Sequence, residues 1–279
     1  MQLYSINAGY FKLDGGAMFG VVPKSIWHKL NPADDNNMCS WALRCLLIQE
    51  GKRLILVDTG MGTKQPDKFF GYYYLHGNDT LEKSLNKYGF TADDITDVVL
   101  THLHFDHCGG AIKYNSDKTQ LEPAFKNATY YSNQKHWDWA INPNLREKAS
   151  FLKENILPIQ ESGQLKFINE TTELINGVNF IEVFGHTEAM MLPIIKYKNT
   201  TVAYMADLIP SAAHLPMPYI MAYDMRPLQT LTEKQSVLNK AIENNWTLFF
   251  EHDPFVECVT LERTEKGIAR KETLLLKEI

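Results

Sequence analysis

The chain has only four cysteines and no CxxC pair, so neither a thiolate zinc site nor a disulfide framework is indicated; Cys39, Cys45, Cys108 and Cys258 read as core filling. No stretch approaches the roughly twenty apolar residues that a bilayer span needs. Met1 to Asn7 lacks the basic flank, apolar stretch and cleavage site of a secretory signal. Lys/Arg runs long enough to follow a phosphate backbone are missing as well, and the net charge of -5 points away from nucleic acid. Repeats, low-complexity tracts and Pro/Ser-rich tethers are also absent. These absences predict a single domain over residues 1–279, cytoplasmic, with no nucleic-acid or membrane partner and with a homodimer left open.

A content of 44% hydrophobic and 11% aromatic residues suffices for a large core in 279 residues. Trp41 to Ile48 and Arg53 to Val57, around the Glu50-Gly51-Lys52 turn, read as a hairpin. Asp79-Thr80 caps a helix through Leu81 to Tyr88, Thr91 opens a short turn, and Asp97 to Thr101 is a short buried strand. Helices are expected over Asn133 to Ala140 with Ser132 as the cap, over Leu145 to Glu154, and from the capping box Thr232-x-x-Gln235 through Ile242. Strands in both halves interleaved with helices give an α/β class: an αββα four-layer sandwich of two mixed sheets flanked by helices.

The informative positions are His102, His104, Asp106 and His107, in the order HxHxDH, followed by His186, Asp207 and His252. Imidazole nitrogens and carboxylate oxygens are the ligands that zinc and similar divalent ions take. An apolar run precedes each ligand: Asp97 to Thr101, Phe180 to Phe184, Thr201 to Ala206 and Thr247 to Glu251. Buried strands that stop at ligands set them along one rim of a sheet. The seven divide into His102, His104 and His186 for a first metal, and Asp106, His107 and His252 for a second, with Asp207 able to bridge both. Two divalent ions, zinc above all, would hold a bridging water that deprotonates at neutral pH and attacks as hydroxide. His28, His76, His136 and His214 have no ligand-like company. Tyr72-Tyr73-Tyr74 and His136-Trp137-Asp138-Trp139 read as packing first and as an apolar wall for an acyl chain second.

Thr101 to His107, Gly185-His186-Thr187, Ala206-Asp207 and Glu251-His252 together resemble the metal motifs of the metallo-β-lactamase superfamily. Leu56-Val57-Asp58-Thr59-Gly60 resembles its Asp-Thr-Gly strand end, which implies that Asp58 orients a ligand histidine. Asp14 to Gly20, Val22-Pro23, Ile26-Trp27 and Asp207 to His214 look like the branch with N-acyl-homoserine lactonases and methyl-parathion hydrolase-like enzymes. That resemblance implies a small-molecule substrate, an acyl lactone or ester, and a hydrolase that opens the lactone ring in quorum quenching. Many such lactonases carry a tyrosine three residues after the bridging aspartate, where this chain has Pro210; His214 or Tyr223 could then contact the substrate carbonyl, and Asp106 could carry the proton. A phosphotriesterase or arylesterase and a non-catalytic module braced by metal are the alternatives.

Overall fold

The computed structural model describes residues 1–279. Its first element, β1 (Gln2–Asp14), departs from the sequence reading. The residues that β1 buries are Leu3, Ile6, Gly9 and Phe11, a spacing that breaks the period of two on which strands are recognised. Gly9 sits at φ 122°, a backbone region that residues with a Cβ avoid. β2 (Met38–Glu50) and β3 (Arg53–Val57) form the expected hairpin, in register from Leu46 against Val57 to Glu50 against Arg53. β4 (Asp97–Val99) runs parallel to β3. A separate small hairpin follows, β5 (Ile112–Tyr114) with β6 (Leu121–Pro123). β7 (Thr129–Ser132) and β8 (Leu165–Phe167) complete a six-stranded mixed sheet in the order β1-β2-β3-β4-β7-β8.

A second six-stranded sheet is built from β9 (Val178–Val183), β10 (Met190–Tyr197), β11 (Thr200–Tyr204), β12 (Thr247–Phe249), β13 (Cys258–Thr264) and β14 (Gly267–Leu274), adjacent in chain order. Its one parallel pair is β11 with β12, the pair connected through the 17-residue helix Pro227–Glu243. Parallel strands need such a crossover, whereas the antiparallel neighbours are joined by turns.

The chain forms two compact units: Met1–Gly9 with Leu43–Asn169, and Tyr10–Ala42 with Glu170–Ile279. In the first unit Cys45, Leu47, Leu54, Leu56, Val98 and Leu100 pack with Leu85, Trp137, Ala140, Ile156 and Ile159 from the helices. Leu46, Ile48, Ile55 and Val57, which point the other way along the same strands, are buried too. Burial on both faces explains why β2 and β3 read as nearly unbroken apolar runs.

Three helix boundaries differ from the sequence reading. The helix Gln134–Ile141 is capped by Asn133, whose side chain accepts from the Lys135 amide, rather than by Ser132. Residues 145–150 are not helical, and the helix is Lys153–Glu161. Here Asn144 Oδ1 accepts the amides of both Arg146 and Glu147, an Asx turn that holds the backbone in place of a helical turn. The last long helix begins five residues before Thr232, with Pro227 in its first turn. No helix is long and apolar enough to cross a membrane.

Candidate metal centre

His102, His104, Asp106 and His107 belong to the first unit and follow β4 directly. They are buried, as is Asp58, which follows β3 at φ 57°. Aspartate tolerates this left-handed conformation better than most residues. Asp58 Oδ1 accepts the Thr101 amide at 2.8 Å, and Oδ2 accepts the Thr101 hydroxyl at 2.7 Å and His107 Nδ1 at 3.2 Å. Because the Thr101 hydroxyl spends its one proton on Asp58, it accepts from His102 Nδ1, 3.1 Å away. Asp58 thus sets the tautomer of two histidines, one directly and one through Thr101. Each is left with Nε2 as its lone-pair nitrogen.

His104 is the reverse case. Its Nε2 meets Glu147 Oε1 at 2.9 Å, so Nδ1 carries the lone pair. His102 Nε2 and His104 Nδ1 face each other at 3.0 Å. Two nitrogens bound tetrahedrally to one zinc at about 2.05 Å would be about 3.3 Å apart. Asp106 Oδ2 lies 3.9 Å from His107 Nε2. The turn behind these ligands is tight: a Cβ on Gly110 would stand 2.2 Å from the Thr59 carbonyl oxygen, so only glycine lets the two segments approach.

His186, Asp207 and His252 belong to the second unit, each just beyond the end of a strand. His186 Nδ1 donates to Asp224 Oδ1 at 2.8 Å and His252 Nδ1 to the Ala42 carbonyl at 2.8 Å, so both offer Nε2. The carboxylate of Asp207 divides its oxygens: Oδ2 is 3.1 Å from His186 Nε2 and Oδ1 is 3.1 Å from His252 Nε2. Burial pushes the His186 imidazole down, but the carboxylates of Asp207 and Asp224 outweigh it and raise its pKa to about 10. A nitrogen surrounded by so much negative charge calls for a cation, be it a proton or a metal ion. The loop before His186 is anchored by Glu233, which accepts the amides of Phe184 and Gly185.

The nine histidines therefore sort by what holds them. His102, His104, His107, His186 and His252 each give one ring N–H to an acceptor and keep one lone-pair nitrogen, the tautomer control that metal ligation requires. His28 and His136 instead accept backbone amides, from Ala33 and Leu103. His76 is exposed. Five nitrogen donors and two carboxylates, all buried, fit divalent ions of the zinc type.

His214, expected as a contact for the substrate carbonyl, has both nitrogens committed: Nδ1 to Ser211 Oγ at 2.7 Å and Nε2 to the Met18 carbonyl at 2.9 Å. Its ring stacks on Phe19 at 4.6 Å, and Phe19 in turn stacks on Trp27. Burial pushes its pKa down to about 3, so the folded chain keeps it neutral while the unfolded chain protonates it below about 6.5. Stability should accordingly fall as pH drops from about 6.5 toward 3. In His214→Phe that acid limb should be shallower by the slope of one proton, at a cost of about 1–3 kcal/mol at pH 7.5 for the partners left behind. Denaturant unfolding across pH 4–8 measures both, and an unchanged acid limb would refute the assignment. Tyr223, the other expected contact, is 38% exposed.

Sequence reasoning missed Glu147 and Asp224, which hold His104 and His186 from 43 and 38 residues away. In the His136 to Trp139 cluster, read from the sequence as packing first, His136 and Trp137 are buried. Asn144-x-x-Glu147 was the one available signal, and its spacing is that of a helix cap.

Residues 44–252 match the model of a family described as the metallo-beta-lactamase superfamily. An N-acyl homoserine lactonase of Bacillus thuringiensis is 26% identical over 196 residues, covering 67% of this chain and 66% of the lactonase. An N-acyl homoserine lactonase of Bacillus cereus matches to the same extent. The chain thus spans about two thirds of the length of the curated relatives it matches. Among solved structures, a probable metal-dependent hydrolase from Staphylococcus aureus superposes with a TM-score of 0.87 at 28% identity, over 98% of both chains. A dizinc quorum-quenching lactonase, AidC, solved with a homoserine product, gives a TM-score of 0.79 at 24% identity over 98% of this chain and 95% of its own; that likeness concerns the fold.

Proposed function

The chain belongs to the metallo-β-lactamase superfamily and has its fold, and from that premise we propose that it is a dinuclear metal-dependent hydrolase opening the lactone ring of N-acyl-homoserine lactones. The observation that carries this reading is the uniform treatment of five histidines, each tied at one nitrogen, with an Asp207 carboxylate whose two oxygens face two different imidazoles. A structural zinc site is a closed cage of four ligands around one ion, and seven donor side chains are more than one such cage needs. In this assignment His102, His104 and His186 serve one ion, Asp106, His107 and His252 the other, and Asp207 both. Zinc suits the mixed nitrogen and oxygen set. When bound, the ions supply a water acidic enough to lose its proton near neutral pH and a Lewis acid for the carbonyl oxygen.

The chain's own residues supply the rest. Asp58, Glu147 and Asp224 orient imidazoles, so that the donor geometry is built before substrate arrives. Asp106 receives the proton that ring opening must return to the leaving alkoxide oxygen. With Pro210 where related lactonases have a tyrosine, the hydroxyl of the partly exposed Tyr223 is the donor toward the substrate carbonyl, and His214 is assigned to packing. Support for the substrate class comes from the lactonases among the relatives.

Chelation tests the reading. Lactone opening, followed by proton release, should fall below about one hundredth of its rate after metal removal and return with added zinc. A panel with phosphotriesters and aryl esters ranks the substrates. Full lactonase activity in a metal-free chain would exclude this chemistry, and metal-dependent folding without turnover of any of these substrates would leave the ions a bracing role.

A further inference from the structure

Outside the seven donors, the most built polar cluster in the first unit surrounds Glu147. This residue is 2% exposed. Oε1 faces His104 Nε2 at 2.9 Å, while Oε2 accepts the Trp139 indole N–H at 2.7 Å and the Asn144 side-chain amide at 3.2 Å. The Glu147 backbone amide is in turn held by Asn144 Oδ1 at 3.0 Å. Side chain and main chain of Glu147 are therefore fixed by the same asparagine.

The helix Gln134–Ile141 contributes twice from positions three residues apart. His136 Nε2 accepts the amide of Leu103, the residue that separates His102 from His104, and Trp139 holds Glu147. Residues at this spacing lie on one helical face. Phe151 covers the arrangement, 4.9 Å from the His104 ring and 5.8 Å from the His136 ring.

His104 is also the odd member of the ligand set. The other four histidines donate through Nδ1 and offer Nε2, whereas His104 donates through Nε2 and offers Nδ1. An exposed imidazole exchanges between its two tautomers freely, so something must select one. A carboxylate whose Oε2 already takes two N–H donors, from Trp139 and Asn144, is held as an acceptor, so Oε1 accepts from His104.

We propose that Glu147 is a positioning residue that selects the Nε2–H tautomer of His104, which leaves the lone pair on Nδ1, with Trp139 and Asn144 holding its carboxylate in place. This deepens the metal-centre reading above and rests on it only where metal affinity is concerned, because the tautomer exists with or without an ion. The consequence is a division of labour behind the ligands: Asp58 serves His102 and His107, Asp224 serves His186, and Glu147 serves the one histidine that binds the other way round.

The experiment pairs Glu147→Gln with Trp139→Phe, which keeps the carboxylate and removes only its indole donor. Long-range nitrogen–proton NMR on histidine-labelled, metal-free protein reads the tautomer directly. Wild type should show His104 protonated at Nε2, and Glu147→Gln should show a mixture or the opposite tautomer. Competition with a chromophoric chelator reads zinc affinity: one of the two equivalents should weaken about 10–100-fold in Glu147→Gln and about tenfold or less in Trp139→Phe. Thermal unfolding screens for misfolding, and if Glu147→Gln does not fold, Trp139→Phe carries both readouts. An unchanged tautomer together with unchanged zinc affinity overturns the proposal and leaves the metal centre standing. Failure of wild type to take up zinc overturns the metal centre, and the tautomer measurement then decides the role of Glu147 alone.

Discussion

Asp207→Ala is expected to lower kcat/KM for an N-acyl-homoserine lactone by about 10³-fold, beyond the 10–100-fold range that loss of an outer partner gives. Asp207 presents one oxygen to His186 Nε2 and the other to His252 Nε2, each at 3.1 Å, so in the proposed centre no other side chain can replace it on either ion. Zinc content should drop from two equivalents toward one, measured by elemental analysis after gel filtration. Asp207→Asn keeps the volume but offers one oxygen in place of two, and should fall between wild type and the alanine variant in metal content. The site is buried, and removal of one carboxylate from beside two imidazoles also removes the charge that holds His186 near a pKa of 10. A variant that keeps two zinc ions and activity within tenfold of wild type would sink the bridging assignment.

The second large effect concerns stability. Asp58→Ala should destabilise the fold by about 3–5 kcal/mol, the usual cost of removing one partner from a buried charged network. Three donors lose their acceptor together: the Thr101 amide, the Thr101 hydroxyl and His107 Nδ1. Alanine at φ 57° adds about 1–2 kcal/mol of backbone strain. Asp58→Asn separates these contributions, because asparagine also tolerates the left-handed region while its amide can satisfy only part of the network. For a chain of this size the alanine variant should melt roughly 10 °C lower in a calorimetric scan. A shift under about 2 °C would mean that Thr101 and His107 find other acceptors, and the tautomer argument for His102 and His107 would fail with it.

Both predictions begin from residues that are visible in the chain without any structure. Asp207 and Asp58 each end an apolar run, and the pattern of buried strands ending at polar groups is written in the order of residue types. The hairpin of β2 and β3 and the short strand β4 came through for the same reason: each is short, apolar and bounded by turn residues. The 13-residue β1 did not, because its burial follows no period of two, and the hairpin β13–β14 did not, because much of it is charged and exposed. The turn at 145–150 was read as a helix because Leu145 to Glu154 is periodic, and periodicity in the sequence cannot tell an Asx turn at Asn144 from a first helical turn.

By itself, then, the order of residues determined the fold class and the chemical type of the donors. Periodic burial and ligand-rich strand ends are local properties, set by which side chains follow one another. Only the tertiary structure decided which nitrogen each histidine offers, since a tautomer is chosen by an acceptor that comes from elsewhere in the chain: Asp58 for His107, Glu147 for His104, Asp224 for His186, and a bare carbonyl at Ala42 for His252. It also decided that His214 is enclosed between Phe19, Ser211 and the Met18 carbonyl. Hydrogen-bond partners separated by tens of residues or more leave no mark in local spacing, because their pairing exists only once the backbone has folded them to within hydrogen-bonding distance of each other.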